Sequence, residues 1–480
     1  MTLFVNQIEG NEVIEDKGEV TYDELLDTYT ENEFAECLIK KVKGEYKALI
    51  NTERWLKWEV KYWKPDARKT IHEKLLEVRD ELITKGKDNN RPTMVKSASK
   101  LGNNTTSNNV IKEAFKIAGD HKVLVSDLNK NHQLLNLING TLNLENLKFR
   151  KHRKEDLITE INNIEYDSDA KAERWTSFLN ETFAGDSALI KYLQKYFGYV
   201  LTGDTKEHKL LYFYGTGANG KSTFINTIRK VSGSYAISLP SEQFMRSNGN
   251  NSDMVERTKA QLVGKRLGIV SEISSDRSFN EALIKELVSG DNVTARHIQQ
   301  SAFEYKPTAK IVMIGNHKPI ADHDDSAFFR RMIMVPFDNV VKEESQDKDL
   351  ESKLEKEMSG ILNWMIAGLD IYRKEGLTEV PEKIKQANQD YQKQCDALGE
   401  FLESECLSSE SKVKVTELCE AYNSWLSKSA TKAKYLHSKQ FCNELRNRGY
   451  ELTKTGNAQY CNGINLEKEK NNLGSLGRQF

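Results

Sequence analysis

No stretch of this sequence is apolar over the roughly 20 residues that a membrane-spanning helix needs. Its longest apolar runs, such as Leu210 to Tyr214, are of strand length. The opening MTLFVNQIEGNEVIED lacks a basic start, an apolar core and a small-residue cleavage site, so the chain is expected to stay in the cytoplasm. Cysteine is sparse: Cys37, Cys395, Cys406, Cys419, Cys442 and Cys461 form no Cys-x-x-Cys pair and stand near no His-x-x-x-His. Reduced, incidental thiols are therefore expected in place of disulfides or structural zinc. The nine histidines are scattered and mark no metal site. Neither charge sign dominates, with a net charge of -1. A strongly basic chain would point to a polyanionic partner, whereas here any such contact has to come from local patches. There is no internal repeat.

What is present suffices for several cores. A chain of 480 residues, 38% of them hydrophobic, is expected to form about three or four domains. Residues 67–82 read as a helix carrying Ile71, Leu75, Leu76, Val78 and Leu82. Residues 86–109, rich in Asn, Ser, Thr and Gly, read as a linker or loop. Asn139-Gly140 between alternating apolar residues predicts a hairpin. Residues 172–200 predict two helices broken at Gly185-Asp186, with an aromatic core face that includes Trp175, Phe178, Tyr196 and Phe197. From 205 to 340, short apolar runs (LLYFY, RLGIV, KIVMIG, RMIMVPF) alternate with helical stretches, as buried parallel strands do. The expected division is an accessory region and linker over 1–105, a mainly helical domain over 106–200, an α/β domain over 201–380, and a tail over 381–480.

Residues 215–222 read Gly-Thr-Gly-Ala-Asn-Gly-Lys-Ser, the phosphate-loop pattern, with a strand before them and a helix after. Glycines let several backbone N–H groups turn toward one phosphate, and the following helix adds its positive end. Gly215, Thr216, Gly217, Ala218, Asn219, Gly220, Lys221, Ser222 and Thr223 are thus expected to hold a nucleotide, with Lys221 on the terminal phosphates and the Ser222 hydroxyl on Mg²⁺. Glu272 ends the next buried strand, LGIV, where a carboxylate can orient water and support Mg²⁺. Asn316 follows the strand KIVMIG and suits a sensor of the terminal phosphate. Arg330 and Arg331, set between apolar residues, can supply charge to a phosphoryl transition state, often in a neighbouring subunit. The competing reading of the arginines is an ordinary ion pair at a domain edge.

On these residues the chain resembles the superfamily 3 helicases, in particular the helicase half of phage and plasmid primase-helicases related to the poxvirus nucleoside-triphosphatase. GTGANGKST, VSEI, the stretch Lys285 to Asp291 with Thr294-Ala295-Arg296, KIVMIGN, FFRRMIMVPF and GILNWMIAG match that family's motifs in order over residues 110–465. The resemblance implies an α/β fold with an AAA+ type P-loop ATPase core, a helical N-terminal region and a C-terminal winged-helix domain. It also implies a hexameric ring driven by ATP and Mg²⁺. The segment from Arg296 to Lys306 would be a channel hairpin whose His297, Gln299, Gln300 and Lys306 grip DNA phosphates. Two departures stand out. Ser271 occupies the position where many such motors carry Asp, and the residues ahead of the motor hold no acid cluster of a primase, so any primase is expected to be a separate partner.

From 421 to 450 the bases Lys428, Lys432, Lys434, Lys439, Arg446 and Arg448 face one acid, Glu444. A basic helix of this kind can enter the major groove, which makes Lys439, Arg446 and Arg448 candidate duplex contacts. The expectation is a replicative helicase of a phage, plasmid or mobile element, similar to the initiators of staphylococcal pathogenicity islands. It would act on single-stranded and duplex DNA in the host cytoplasm. The alternative is a DNA-stimulated ATPase that loads or remodels replication proteins without unwinding.

Overall fold

The structure is a computed structural model that describes residues 26–50, 54–66, 69–246, 252–273, 277–296, 302–319, 321, 325–342, 344, 346–429 and 435–467. The chain divides into two compact units, Met1–Leu128 and Asn129–Phe480.

In the first unit, helices Glu31–Lys41, Lys69–Asp88, Pro92–Ser99 and Asn104–Ile117 accompany a sheet ordered Trp63–Pro65, Arg54–Trp58, Tyr46–Leu49, Lys122–Val123. The expected helix is present and continues to Asp88, with Ile71, Leu75, Val78 and Leu82 fully buried. The polar stretch 86–109 departs from expectation: most of it is helical. Of its apolar residues, Met94, Ala98 and Leu101 go into the core and Val95 is half-buried. Pro92 opens one helix, and the Asn103 side chain caps the next by accepting the Thr105 N–H at 2.8 Å. Capping residues and a narrow apolar face look like loop composition when counted together.

The second unit opens with the expected hairpin, Leu134–Leu137 and Gly140–Asn143, but it turns at Ile138-Asn139, one residue ahead of the Asn-Gly pair, with Gly140 already paired in the strand. The helical pair follows as Glu173–Thr182 and Ser187–Val200, the second capped by Asp186. Five strands then build a sheet: β1 (Leu210–Tyr214), β2 (Ala236–Leu239), β3 (Leu267–Val270), β4 (Lys310–Gly315) and β5 (Met332–Pro336). They lie in the order β5-β1-β4-β3-β2, and every pairing is parallel. This is an α/β core around a parallel sheet. Strand β2 escaped the sequence reading because it is a partly exposed edge strand of mixed composition.

Helix Lys221–Ser232 covers one face of the sheet. Its Phe224 ring meets Trp175, Phe197 and Phe213 at centroid distances of 5.2, 5.2 and 5.6 Å. Helix Met358–Glu375 backs onto Ser187–Val200 so closely that a methyl group at Gly198 or Gly368 would strike the backbone of the other helix. At the amino ends of β3 and β4, Arg266 and Lys310 are buried. Arg266 donates to the carbonyls of Leu201 and Leu134, and Lys310 to that of Thr202.

Helix Glu382–Cys395 runs beside β5, where Asn388 accepts the Met334 N–H at 2.8 Å and the Tyr391 hydroxyl donates to the Pro319 carbonyl at 2.7 Å. Beyond it come helix Ala397–Glu405, strand Cys406–Lys414, helices Val415–Lys428 and Ser438–Asn447, and strands Leu452–Thr455 and Ala458–Leu466. The three strands form an antiparallel sheet with Ala458–Leu466 in the centre. Leu452–Thr455 and Ala458–Leu466 form a hairpin, and Cys406–Lys414 adds a third strand to it. Among the described residues no helix is long and apolar enough to cross a membrane.

Candidate functional site

The loop between β1 and helix Lys221–Ser232 is shaped by backbone angles that side chains resist. Gly217 has φ 105° and Gly220 φ 84°, both in the left-handed region. Ala218 is held there too, at φ 48°. Its carbonyl accepts the Val341 N–H at 2.9 Å, and the Asn219 side chain donates to the Phe337 carbonyl at 2.7 Å. The segment after β5 thus buttresses the loop. Gly220 stands at the helix N-cap and has no side chain to satisfy the first-turn N–H groups. Those donors and the positive end of the helix are left for an anion.

Lys221 is buried and folds back onto the loop, its Nζ donating to the Gly215 carbonyl at 2.7 Å and to Asn219 Oδ1 at 2.8 Å. Burial holds its amine below the ordinary lysine range. Both partners are neutral, so a phosphate would be a better acceptor than either. Ser222 is exposed at the helix start, and Thr223 is half-buried.

The strand order decides what stands beside this loop. Because β4 lies between β1 and β3, the residues leaving all three strands share the carboxyl edge. Gly315 is in register with Tyr214, and Val270 with Met313. Asn316 therefore sits between the loop and Glu272, and both side chains are exposed. Glu272 has φ 59°, a left-handed conformation that costs a non-glycine residue about 1–2 kcal/mol. Such strain persists where surrounding structure enforces it, often at functional sites. The Ile273 N–H, donating to the Ile314 carbonyl at 3.2 Å, secures the backbone next to it. Ser271 is exposed beside it.

Arg330 and Arg331 lie at the opposite edge. Met332 pairs with Leu210 and Pro336 with Tyr214, so the arginines precede β5 at the amino ends of the strands, about 13 Å of strand away from the loop. Arg331 donates through Nη1 to the Ala327 carbonyl at 2.7 Å, and its Nε is buried with no hydrogen-bond partner among the described residues. Arg330 is exposed. Among the described residues neither arginine has a carboxylate partner.

The hairpin between Val293–Ala295 and Phe303–Tyr305 exists, and Lys306 is exposed at its base. His297, Gln299 and Gln300 lie outside the described residues, as do Lys432 and Lys434. In the tail, Lys439 and Arg446 are exposed. Arg448 instead turns inward to Asp396 and Glu444. It was singled out by charge count alone, which does not distinguish a base facing solvent from one closing an ion pair. The polar ring Tyr214 also borders the site: burial, with Asp338 and Asp390 nearby, pushes its phenol up to about 12.

Two family models match parts of the chain. The family described as "D5 N terminal like" matches residues 35–184, and a family of unknown function (DUF5906) matches residues 213–331. A "putative helicase" of Acanthamoeba polyphaga mimivirus is 24% identical over 489 residues, covering 92% of this chain and 50% of that protein. A "putative helicase" of Invertebrate iridescent virus 3 is 24% identical, over 78% of this chain and 43% of that protein. A "putative primase" of African swine fever virus is 25% identical, over 49% of this chain and 25% of that protein. The chain spans about half, or less, of the length of these curated relatives. A solved structure of the NrS-1 C-terminal region shares the fold at a TM-score of 0.51 and 12% identity, over 91% of this chain and 99% of that one.

Proposed function

We propose that this chain is an ATP-hydrolysing DNA helicase of AAA+, superfamily 3 type, acting in replication as a hexameric ring. The observation that carries the reading is the division of polar groups between the sheet edges. The phosphate-type loop, Glu272 and Asn316 gather at one edge, while Arg330 and Arg331, with no carboxylate partner among the described residues, stand at the other. In a ring, the arginine edge of one copy meets the loop edge of the next. Lys221 leaves its neutral loop partners for the phosphates, Glu272 orients the attacking water, Asn316 holds it near the terminal phosphate, and an arginine of the neighbour stabilises the charge that develops. Mg²⁺, held at the Ser222 hydroxyl with Glu272 behind it, would neutralise the phosphate oxygens.

The tail has the order helix, strand, helix, helix, hairpin, which suits a winged helix whose exposed Lys439 and Arg446 reach duplex phosphates or bases. The hairpin ending at Lys306 suits a grip on single-stranded DNA in the channel. The names of the viral relatives support a replication role in a host cell. The test is separation of a forked duplex by the purified chain with ATP and Mg²⁺, beside Lys221→Ala. Strand separation by the wild type alone supports the motor. DNA-stimulated hydrolysis without strand separation would instead favour a loader or remodeller.

A further inference from the structure

At the carboxyl ends of β1 and β5 lies an open cavity of about 340 Å³, bounded among others by Tyr214, Asp338, Lys383, Gln386 and Asp390. Tyr214 is the residue immediately before Gly215. The segment that carries Asp338 is tied to the loop at both ends, by Asn219 to Phe337 and by Val341 to Ala218. Glu272 and Asn316 emerge on the other flank of the loop, from β3 and β4. A nucleoside triphosphate that points its terminal phosphate toward Glu272 must send its base the other way, toward β5, where this cavity opens.

The lining has the chemistry for a base. The Lys318 ammonium lies 4.4 Å from the centre of the Tyr214 ring and steadies it at the wall. Asp338 is paired with Lys383 at 3.1 Å. Asp390 is different: the Gln386 amide donates to one of its oxygens at 2.8 Å, and among the described residues it has no ion-pair partner. A half-buried carboxylate with a free oxygen is a strong acceptor for an exocyclic amine. Resting on the ATPase reading above, we infer that this cavity is the base subsite, with Tyr214 as its aromatic wall and Asp390 as the acceptor that selects a purine bearing an amino group.

The test compares equilibrium binding of ATP and of inosine triphosphate, which lacks the amine, to the full chain, with turnover measured in parallel. The wild type should bind ATP about tenfold more tightly than inosine triphosphate, the worth of one hydrogen bond to a charged group. Asp390→Ala should weaken ATP to the inosine level, leave inosine triphosphate unchanged and raise KM for ATP with little change in kcat. Glu382→Ala, at the same rim, should change neither. Equal affinity of the wild type for both nucleotides would overturn the subsite. So would a loss in Asp390→Ala shared equally by both nucleotides, or an unchanged ratio in that variant. In all three cases persistent wild-type hydrolysis would leave the ATPase reading standing. A chain that binds neither nucleotide would overturn both.

Discussion

The two edges of the five-stranded sheet carry polar groups in opposite circumstances. At the carboxyl edge they have company: Lys221 rests on Gly215 and Asn219, Asn219 on Phe337, and Ala218 on Val341. At the amino edge Arg330 and Arg331 have no carboxylate partner among the described residues, and the buried Arg266 and Lys310 donate to backbone carbonyls. Leaving a buried donor such as Arg331 Nε without a partner costs about 1–3 kcal/mol. On our reading one edge is organised around an anion that can enter it. The other presents cations whose use, on our reading, lies in the next copy of the chain. On that reading the site would be switched on by assembly.

The comparison can be broken most forcefully at the loop. Lys221→Ala should lower ATP turnover by about a thousandfold, as loss of a preorganised charge at the phosphates does. Steady-state hydrolysis assays check this, and retained turnover would refute the site. Arg331→Ala should lower turnover by a similar or slightly smaller factor while ATP binding by each subunit persists; Arg330→Ala, measured beside it, identifies which arginine acts. Gly368→Ala tests the frame behind both edges. Its methyl group would press on the helix Ser187–Val200, so thermal or denaturant unfolding should show a loss of about 1–3 kcal/mol. The smallest effects belong to the tail. Lys439→Ala and Arg446→Ala should each weaken duplex binding a few-fold and reduce the salt dependence by about one phosphate contact, whereas Arg448→Ala should act on stability through Asp396 and Glu444. Titrations at several salt concentrations separate the two outcomes.

Much of this was legible in the order of residues because it is local. A buried parallel strand is a continuous apolar run, so β1, β3, β4 and β5 announced themselves. The phosphate-type loop is contiguous and its glycines are demanded by backbone angles. The helical pair showed in the spacing of Trp175, Phe178, Leu193 and Phe197. Features that depend on partners distant in sequence were not legible. Strand β2 and strand Cys406–Lys414 are partly exposed and mixed in composition, and pairing alone makes them strands. Residues 86–109 were hidden by capping residues that resemble loop residues. Arg448 looked like its exposed neighbours until Asp396, some fifty positions earlier, came to meet it. The cavity joins Tyr214 to Asp390 across the intervening fold, and no spacing rule connects them.

The divided site is tested most directly by mixing two inactive proteins. Glu272→Gln keeps its arginines but cannot orient water, and Arg331→Ala keeps its water-orienting carboxylate but offers no arginine to its neighbour. If the site lies between copies, a mixture contains interfaces in which an intact loop edge meets an intact arginine edge. ATP hydrolysis should then rise above the sum of the separate proteins and peak near equal proportions. A mixture that stays at that sum at every ratio, although both variants bind ATP and assemble as the wild type does, would contradict the account.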